Sequence, residues 1–237
     1  MSSIHDNLNT VKAQITEAAQ AAARKPTDIK LLAVSKTFPA EDVRTAYEWG
    51  QKAFGENYVQ EGVQKVHALK DLRPNIEWHF IGPIQSNKSR DVAENFDWVH
   101  SIDRLKIAQR LNEQRPRNLP PINVCVQVNI SGEVSKSGVQ SHELLDLCLA
   151  ITQMPQLKLR GLMSIPEPTE NTQEQRKAHH TLFSMLEHLK QEPAIQSSSA
   201  QLDTLSMGMS SDINSAIAEG STIVRIGTAI FGKRTYL

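Results

Sequence analysis

Net charge is the first thing this sequence lacks. Lysine plus arginine total 26 and aspartate plus glutamate total 26, so no overall field draws the chain towards nucleic acid or an anionic membrane. Any bound anion must then be held by local groups. Long apolar runs are also missing, since none approaches the roughly 18 to 20 residues of a membrane span. The opening MSSIHDNLNT has neither the basic nor the apolar region of a secretory signal, and the expected location is the cytoplasm. Cysteine occurs only twice. Cys125 in VCVQV and Cys148 in LLDLCLA lie inside apolar segments without zinc-like spacing, which reads as two buried core residues and neither a disulfide nor a metal site. His179, His180 and His188 share one long helical segment, but no cysteine or acidic cluster completes a ligand set, so no metal is expected. Repeats, low-complexity tracts and long linkers are absent. The Ser-rich QEPAIQSSSAQLD at 191–203 reads as a loop and EQRPRNLPPIN at 113–123 as a helix-to-strand turn.

What is present is an alternation. Residues 7–24 read as a helix, with Leu8, Val11, Ile15, Ala18 and Ala22 spaced three or four apart. From there on, short β-branched runs alternate with longer amphipathic stretches, the pattern of parallel strands joined by crossover helices. Eight strands are predicted, at 30–35, 52–56, 77–82, 97–102, 122–130, 159–165, 204–208 and 222–227. Most are apolar nearly throughout, as strands covered on both faces must be. Helices are predicted near 40–49, 57–70, 87–95, 103–114, 139–153, 170–191 and 211–219. Pro39 suits the start of the first, and Ser101-Ile102-Asp103 and Ser210-Ser211-Asp212 offer side-chain oxygens to cap two others. With 237 residues, this favours a single (β/α)₈ TIM barrel over residues 1–237, with an extra N-terminal helix and no second domain.

In such a barrel the functional groups gather at the carboxyl ends of the strands. The first strand ends in Ser35-Lys36-Thr37, which puts Lys36 at the mouth. An amine against apolar walls is kept neutral and attacks aldehydes, although a strand-end lysine is also compatible with simple solvation. The eighth strand carries Arg225 and then Gly227-Thr228, whose backbone N–H groups suit a phosphate at close range. After the seventh strand, Ser210 opens the next predicted helix and offers donors to the same phosphate. Ser210 also reads as a plain N-cap, and Gly227 as a turn residue. His79 in EWHFIG reads as a satisfied strand histidine, with ring stacking as the alternative. Lys136 and Lys88 read as solvated or structural lysines, with a secondary aldehyde or phosphate contact as the alternative.

The segments LLAVSKTFP, FGENYVQE, WHFIGPIQSNK, QVNISGEVSKSGV, RGLMSIP and LSMGMSSDINSAIAEGSTIVRIGTAIFG, spread over residues 29–233, resemble the pyridoxal-phosphate homeostasis protein family, also called YggS-like or proline-synthase co-transcribed. The resemblance implies the fold type III barrel of pyridoxal-phosphate proteins, shared with the N-terminal domain of alanine racemase. It implies Lys36 as the Schiff-base lysine for pyridoxal 5′-phosphate and Ser210, Gly227 and Thr228 as the phosphate site. It also implies Arg225 facing the pyridine nitrogen and Asn57 beside the cofactor, with Ser206 and Met207 lining the pocket. An arginine there keeps its proton, so the ring nitrogen stays neutral and the cofactor is a poorer electron sink than one paired with a carboxylate.

A racemase of this fold needs a second acid/base, which alanine racemase draws from a C-terminal β domain as a tyrosine. Here Tyr47 and Tyr58 fall in predicted helices and Tyr236 lies in the tail, about ten residues beyond the last strand, so none replaces it. The expectation is therefore a non-catalytic binding protein. It would hold pyridoxal phosphate reversibly on Lys36, buffer or deliver it, possess apo pyridoxal-phosphate enzymes as partners, and remain a monomer. A weak racemase and a phosphate-ligand barrel enzyme without the cofactor are the competing readings.

Overall fold

Eight short runs that are buried on both sides cannot each find water for their backbone groups, and here they pair with one another all the way round. The computed structural model describes residues 3–131 and 137–232. The strands are β1 (Lys30–Val34), β2 (Ala53–Glu56), β3 (Glu77–Phe80), β4 (Trp98–Ile102), β5 (Ile122–Gln127), β6 (Leu157–Met163), β7 (Thr204–Ser206) and β8 (Ile223–Ile226). They close in chain order into one parallel barrel, with β1 pairing β8 from Lys30↔Ile223 to Ala33↔Ile226. Closure leaves no exposed sheet edge.

Along each strand the side chains alternate between two environments. Leu31, Ala33, Trp78, Phe80, Val99, Val124, Val224 and Ile226 join the large core shared with the helices. The intervening positions form the barrel interior, where Leu32, Val34, Ala53, Ile81 and Ile223 make one apolar cluster and Trp98, Cys125 and Met163 another. Cys148 belongs to the outer core; burial pushes the Cys125 thiol up and the Cys148 thiol up to about 12, so neither is a thiolate at neutral pH.

The helices α1 (Ile4–Ala21), α2 (Ala40–Glu48), α3 (Val59–Ala68), α4 (Ser89–Asn95), α5 (Leu105–Gln114), α6 (Leu144–Thr152), α7 (Thr172–Gln191), α8 (Pro193–Gln196), α9 (Ile213–Ala218) and α10 (Thr228–Phe231) surround it. The N-terminal helix is more than an addition. It packs against α2, α9 and α10, the place left by the four-residue α10 after β8, and its apolar stripe Leu8, Val11, Ile15, Ala18 and Ala19 is buried there. Asn7 Nδ2 donates to the Ile230 carbonyl at 2.8 Å, and Arg24 Nη1 to those of Ile217 and Ser221 at 2.8 and 2.7 Å.

Several local expectations differ. The sixth strand starts two residues early, at Leu157, because Leu157 and Leu159 are buried while Lys158 and Arg160 alternate with them at half-burial. The 191–203 segment contains the short helix α8, opened by Pro193. Pro39 is the residue before α2 and not its first. Neither serine group caps its helix: Ser101 Oγ donates to the Gly82 carbonyl at 2.5 Å, and α5 begins only at Leu105. Ser210 precedes α9 by a further turn, and the Asp212 carboxylate reaches back to the Met209 N–H instead.

Candidate functional site

The carboxyl ends of β1, β2, β3, β6, β7 and β8 surround a cavity of about 330 Å³. Lys36, Asn57, Ser210, Arg225, Gly227 and Thr228 all line it, with Val34, Phe38, Ile81 and Ile165 as the apolar walls. Thus one amine, one guanidinium, one amide and a set of hydroxyl and backbone donors converge on one space. A smaller hollow between α1 and α9, lined by Gln14, Glu17, Asn214 and four alanines, holds no comparable set.

Lys36 stands on a stiff mount. Ser35 Oγ donates to Glu56 Oε1 at 2.6 Å, and Lys65 Nζ donates to the Ser35 carbonyl at 2.6 Å, to Glu56 Oε1 at 2.8 Å and to Glu61 Oε1 at 2.7 Å. Glu61 Oε1 also accepts the Thr37 N–H at 2.5 Å. Thr37 has φ of 69°, a conformation costly for a β-branched residue. The Glu61 bond holds that turn, which takes the chain away from the barrel directly after Lys36. Burial pushes the Glu56 carboxyl up, while Lys65 and Ser35 act against that shift.

On the neighbouring strand end, Gly227 lets β8 pass close to β1: a Cβ there would meet the Val34 carbonyl oxygen at 3.0 Å. Thr228 follows at the start of α10. The adjoining 209–211 turn is tied down by Asp212, whose Oδ1 accepts the Met209 N–H at 2.6 Å and whose Oδ2 lies 3.0 Å from His179 Nε2. Burial acts to raise the Asp212 carboxyl, but His179 and the Met209 N–H outweigh it and hold it below the usual range. The guanidinium of Arg225 is pulled down to about 10 by burial, which leaves it protonated at neutral pH.

The expected lining divides. Ser206 and Met207 do not border the cavity; both are fully buried, Met207 in the core shared with the helices, while Ser206 meets the site through Arg225. His79 is fully buried, 2.8 Å from both His100 and Glu77, and stacks on Trp98 inside the barrel. It is the satisfied strand histidine. Lys88 closes a 3₁₀ turn before α4, outside the cavity lining, and Lys136 falls outside the described residues. Tyr58, expected within a helix, instead precedes α3 beside Asn57 and is 56% exposed. Phe38, Ile81, Ile165, Met209 and Ser211 also line the cavity. Only Ser211 had a sequence signal, the doubled serine of SMGMSSD.

The donor set fits a phosphorylated aldehyde. Two buried polar atoms also lack a partner among the described residues: Asn57 Oδ1 in the cavity lining, and Ser164 Oγ, whose own carbonyl accepts from Arg225. Such atoms are costly unless something pairs with them.

Residues 7–235 match the family model described as alanine racemase, N-terminal domain. A protein of Pseudomonas aeruginosa named pyridoxal phosphate homeostasis protein is 57% identical over 236 residues, which cover 100% of this chain and 98% of that one. The chain belongs to the pyridoxal phosphate homeostasis protein family. The Escherichia coli K12 protein of the same name is 52% identical over 237 residues, covering 100% of this chain and 99% of the other. Among solved structures, PipY of Synechococcus elongatus with PLP bound superposes with a TM-score of 0.84 at 35% identity, covering 97% of this chain and 100% of PipY. Alanine racemase from Corynebacterium glutamicum shares the fold, with a TM-score of 0.66 at 17% identity over 95% of this chain and 62% of the racemase.

Proposed function

We propose that the protein binds pyridoxal 5′-phosphate as a reversible Schiff base on Lys36 and serves its homeostasis, buffering or delivering the cofactor without robust catalysis. One observation carries this reading: a single cavity brings the Lys36 amine together with Arg225 and with the donors of Ser210, Gly227 and Thr228. Support also comes from the family names and from the PipY structure with PLP bound. When bound, the cofactor supplies an aldehyde that condenses with an amine, forming C=N and releasing water, a reaction that water reverses.

The residues divide the work. Lys36 supplies the amine from its clamped turn. Ser210, Thr228 and the backbone around Gly227 would hold the anionic tail by hydrogen bonds, since the chain carries no net charge to do so. Arg225 would donate to the ring nitrogen without releasing its proton, and Asn57 would present an amide to the ring oxygen. Met209, Ile165 and Ile81 supply apolar lining. Apo pyridoxal-phosphate enzymes are the proposed recipients, reached in the cytoplasm by a monomer that forms one domain over 1–237. No helix among the described residues is long and apolar enough to cross a membrane.

Dialysis against pyridoxal phosphate and against pyridoxal tests the phosphate grip. The phosphorylated form is expected to bind far more tightly, and equal uptake of the two would defeat the assignment. The carrier role is tested by incubating the loaded protein with L- and D-amino acids in deuterated water. Slow or absent Cα deuterium incorporation is expected; incorporation at enzyme-like rates would contradict a pure carrier.

A further inference from the structure

Arg225 is held from beneath by a line of polar groups that runs through the barrel interior. Its Nη1 donates to the Ser206 carbonyl at 2.5 Å and to Ser206 Oγ at 2.9 Å, and its Nη2 donates to the Ser164 carbonyl at 2.9 Å. Ser206 Oγ lies 2.7 Å from His100 Nδ1, and His100 Nε2 lies 2.8 Å from His79 Nδ1. His79 Nε2 in turn lies 2.8 Å from Glu77 Oε1, which pairs with Lys30 at 2.5 Å. The line uses one residue or more from β3, β4, β7 and β8. It starts where Glu77 opens β3 at the amino-terminal end of the barrel and ends at the cavity. His79, His100 and Ser206 are sealed from water.

The direction of these hydrogen bonds is fixed by their ends. A carboxylate only accepts and a guanidinium only donates. Although burial opposes it, the pairing with His79 and Lys30 holds Glu77 well below the usual carboxylate range. Burial pushes both imidazoles down from 6.5, His100 well below it, so each is neutral and carries a single N–H. Counting from Glu77, His79 must carry its proton on Nε2, which leaves Nδ1 to accept. His100 must then donate from Nε2 and accept at Nδ1. That acceptor takes the Ser206 hydroxyl proton, and the oxygen of the same hydroxyl accepts from Arg225. Every donor from His79 to Ser206 meets an acceptor in this arrangement.

We propose that Glu77, His79, His100 and Ser206 form a one-directional hydrogen-bond chain that positions Arg225 for the ligand. The proposal rests on the cofactor reading above and extends it to residues that do not touch the cavity. Three of the five N–H donors of Arg225 are occupied by Ser206 and Ser164, which leaves two to meet an acceptor in the cavity. Removing the Ser206 hydroxyl cuts the line next to Arg225, which loses one of those anchors while His100 Nδ1 loses its donor. Threonine keeps the hydroxyl.

The test has two arms. The first is the two-bond ¹H–¹⁵N spectrum of histidine-labelled protein without cofactor, where His79 and His100 are both expected as neutral Nε2–H tautomers throughout the neutral pH range. The second is titration with pyridoxal phosphate. Ser206→Ala is expected to bind about tenfold more weakly, the loss of one hydrogen bond to a charged group, and Ser206→Thr to recover most of that loss. An Nδ1–H or doubly protonated form of either histidine near neutral pH overturns the proposal. Wild-type affinity in Ser206→Ala overturns it too. If that variant does not fold, the wild-type spectrum and Ser206→Thr still decide. A wild type that takes up no pyridoxal phosphate yet shows both Nε2–H tautomers would overturn the cofactor reading and leave the chain standing.

Discussion

Lys65 Nζ lies 2.8 Å from Glu56 Oε1, and side-chain exposure is 6% and 0% for the two. Through Ser35 and Glu61 this buried pair braces both neighbours of Lys36. Lys65→Met is therefore expected to strand the Glu56 charge, at a cost of about 3 to 5 kcal/mol in urea unfolding. Adding Glu56→Leu should restore much of that loss, because the uncompensated charge goes with it. A Lys65→Met protein as stable as wild type would show that the pair braces nothing.

Gly82 is where the chain passes under the site. A Cβ built there would lie 2.0 Å from the Asn57 carbonyl oxygen, and backbone cannot yield as a side-chain tip does. Gly82→Ala must push Asn57, so a stability loss of about 1 to 3 kcal/mol is expected. Pyridoxal phosphate titration should show weaker binding in the same variant. Unchanged binding would mean that the position of Asn57 does not matter to the ligand.

Asp212 ties the 209–211 turn to α7 through Met209 N–H and His179. Asp212→Ala removes a charge-assisted bond and leaves a buried histidine unpaired, which costs about 1.5 to 3 kcal/mol. The turn also borders the cavity, so affinity for the phosphorylated ligand should fall more than affinity for pyridoxal. Equal loss for both ligands would place the defect in the fold and not in the phosphate grip.

The buried histidines set a pH dependence with a definite sign. Burial lowers the folded-state values of His79 and His100 below 6.5, so below that pH the unfolded chain takes up protons that the folded chain refuses. Their contribution is complete above pH 6.5 and is lost as pH falls. The slope approaches about 1.4 kcal/mol per pH unit for each histidine. Urea unfolding over a pH series measures it, and His100→Gln should flatten the acid limb. A wild-type curve level through the mildly acidic range would mean that both rings accept protons in place.

Much of the barrel was legible because its signal is periodic. Strands such as KLLAV and IVRI are apolar at nearly every position, and the amphipathic stretches between them repeat with little variation. The boundaries were less so: Lys158 and Arg160 made the start of β6 look polar, yet their neighbours pack inward. That Lys36, Arg225, Gly227 and Thr228 line one cavity was legible because strand ends in a closed barrel converge. Ser206 was placed one layer too high, since alternation fixes which way a side chain faces but not how deep it lies. The bracing of Lys36 was hidden altogether. Glu56 and Lys65 have the composition of a surface strand end and a surface helix, and only tertiary packing buries them together.

The central claim is attachment at Lys36, and borohydride tests it directly. Protein loaded with pyridoxal phosphate is reduced, digested and mapped by peptide mass. The label is expected on the peptide containing Lys36, and Lys36→Ala, folded as judged by its circular dichroism, should lose that label. Reduction that places the cofactor on another lysine of loaded wild-type protein, or on none, would contradict the account.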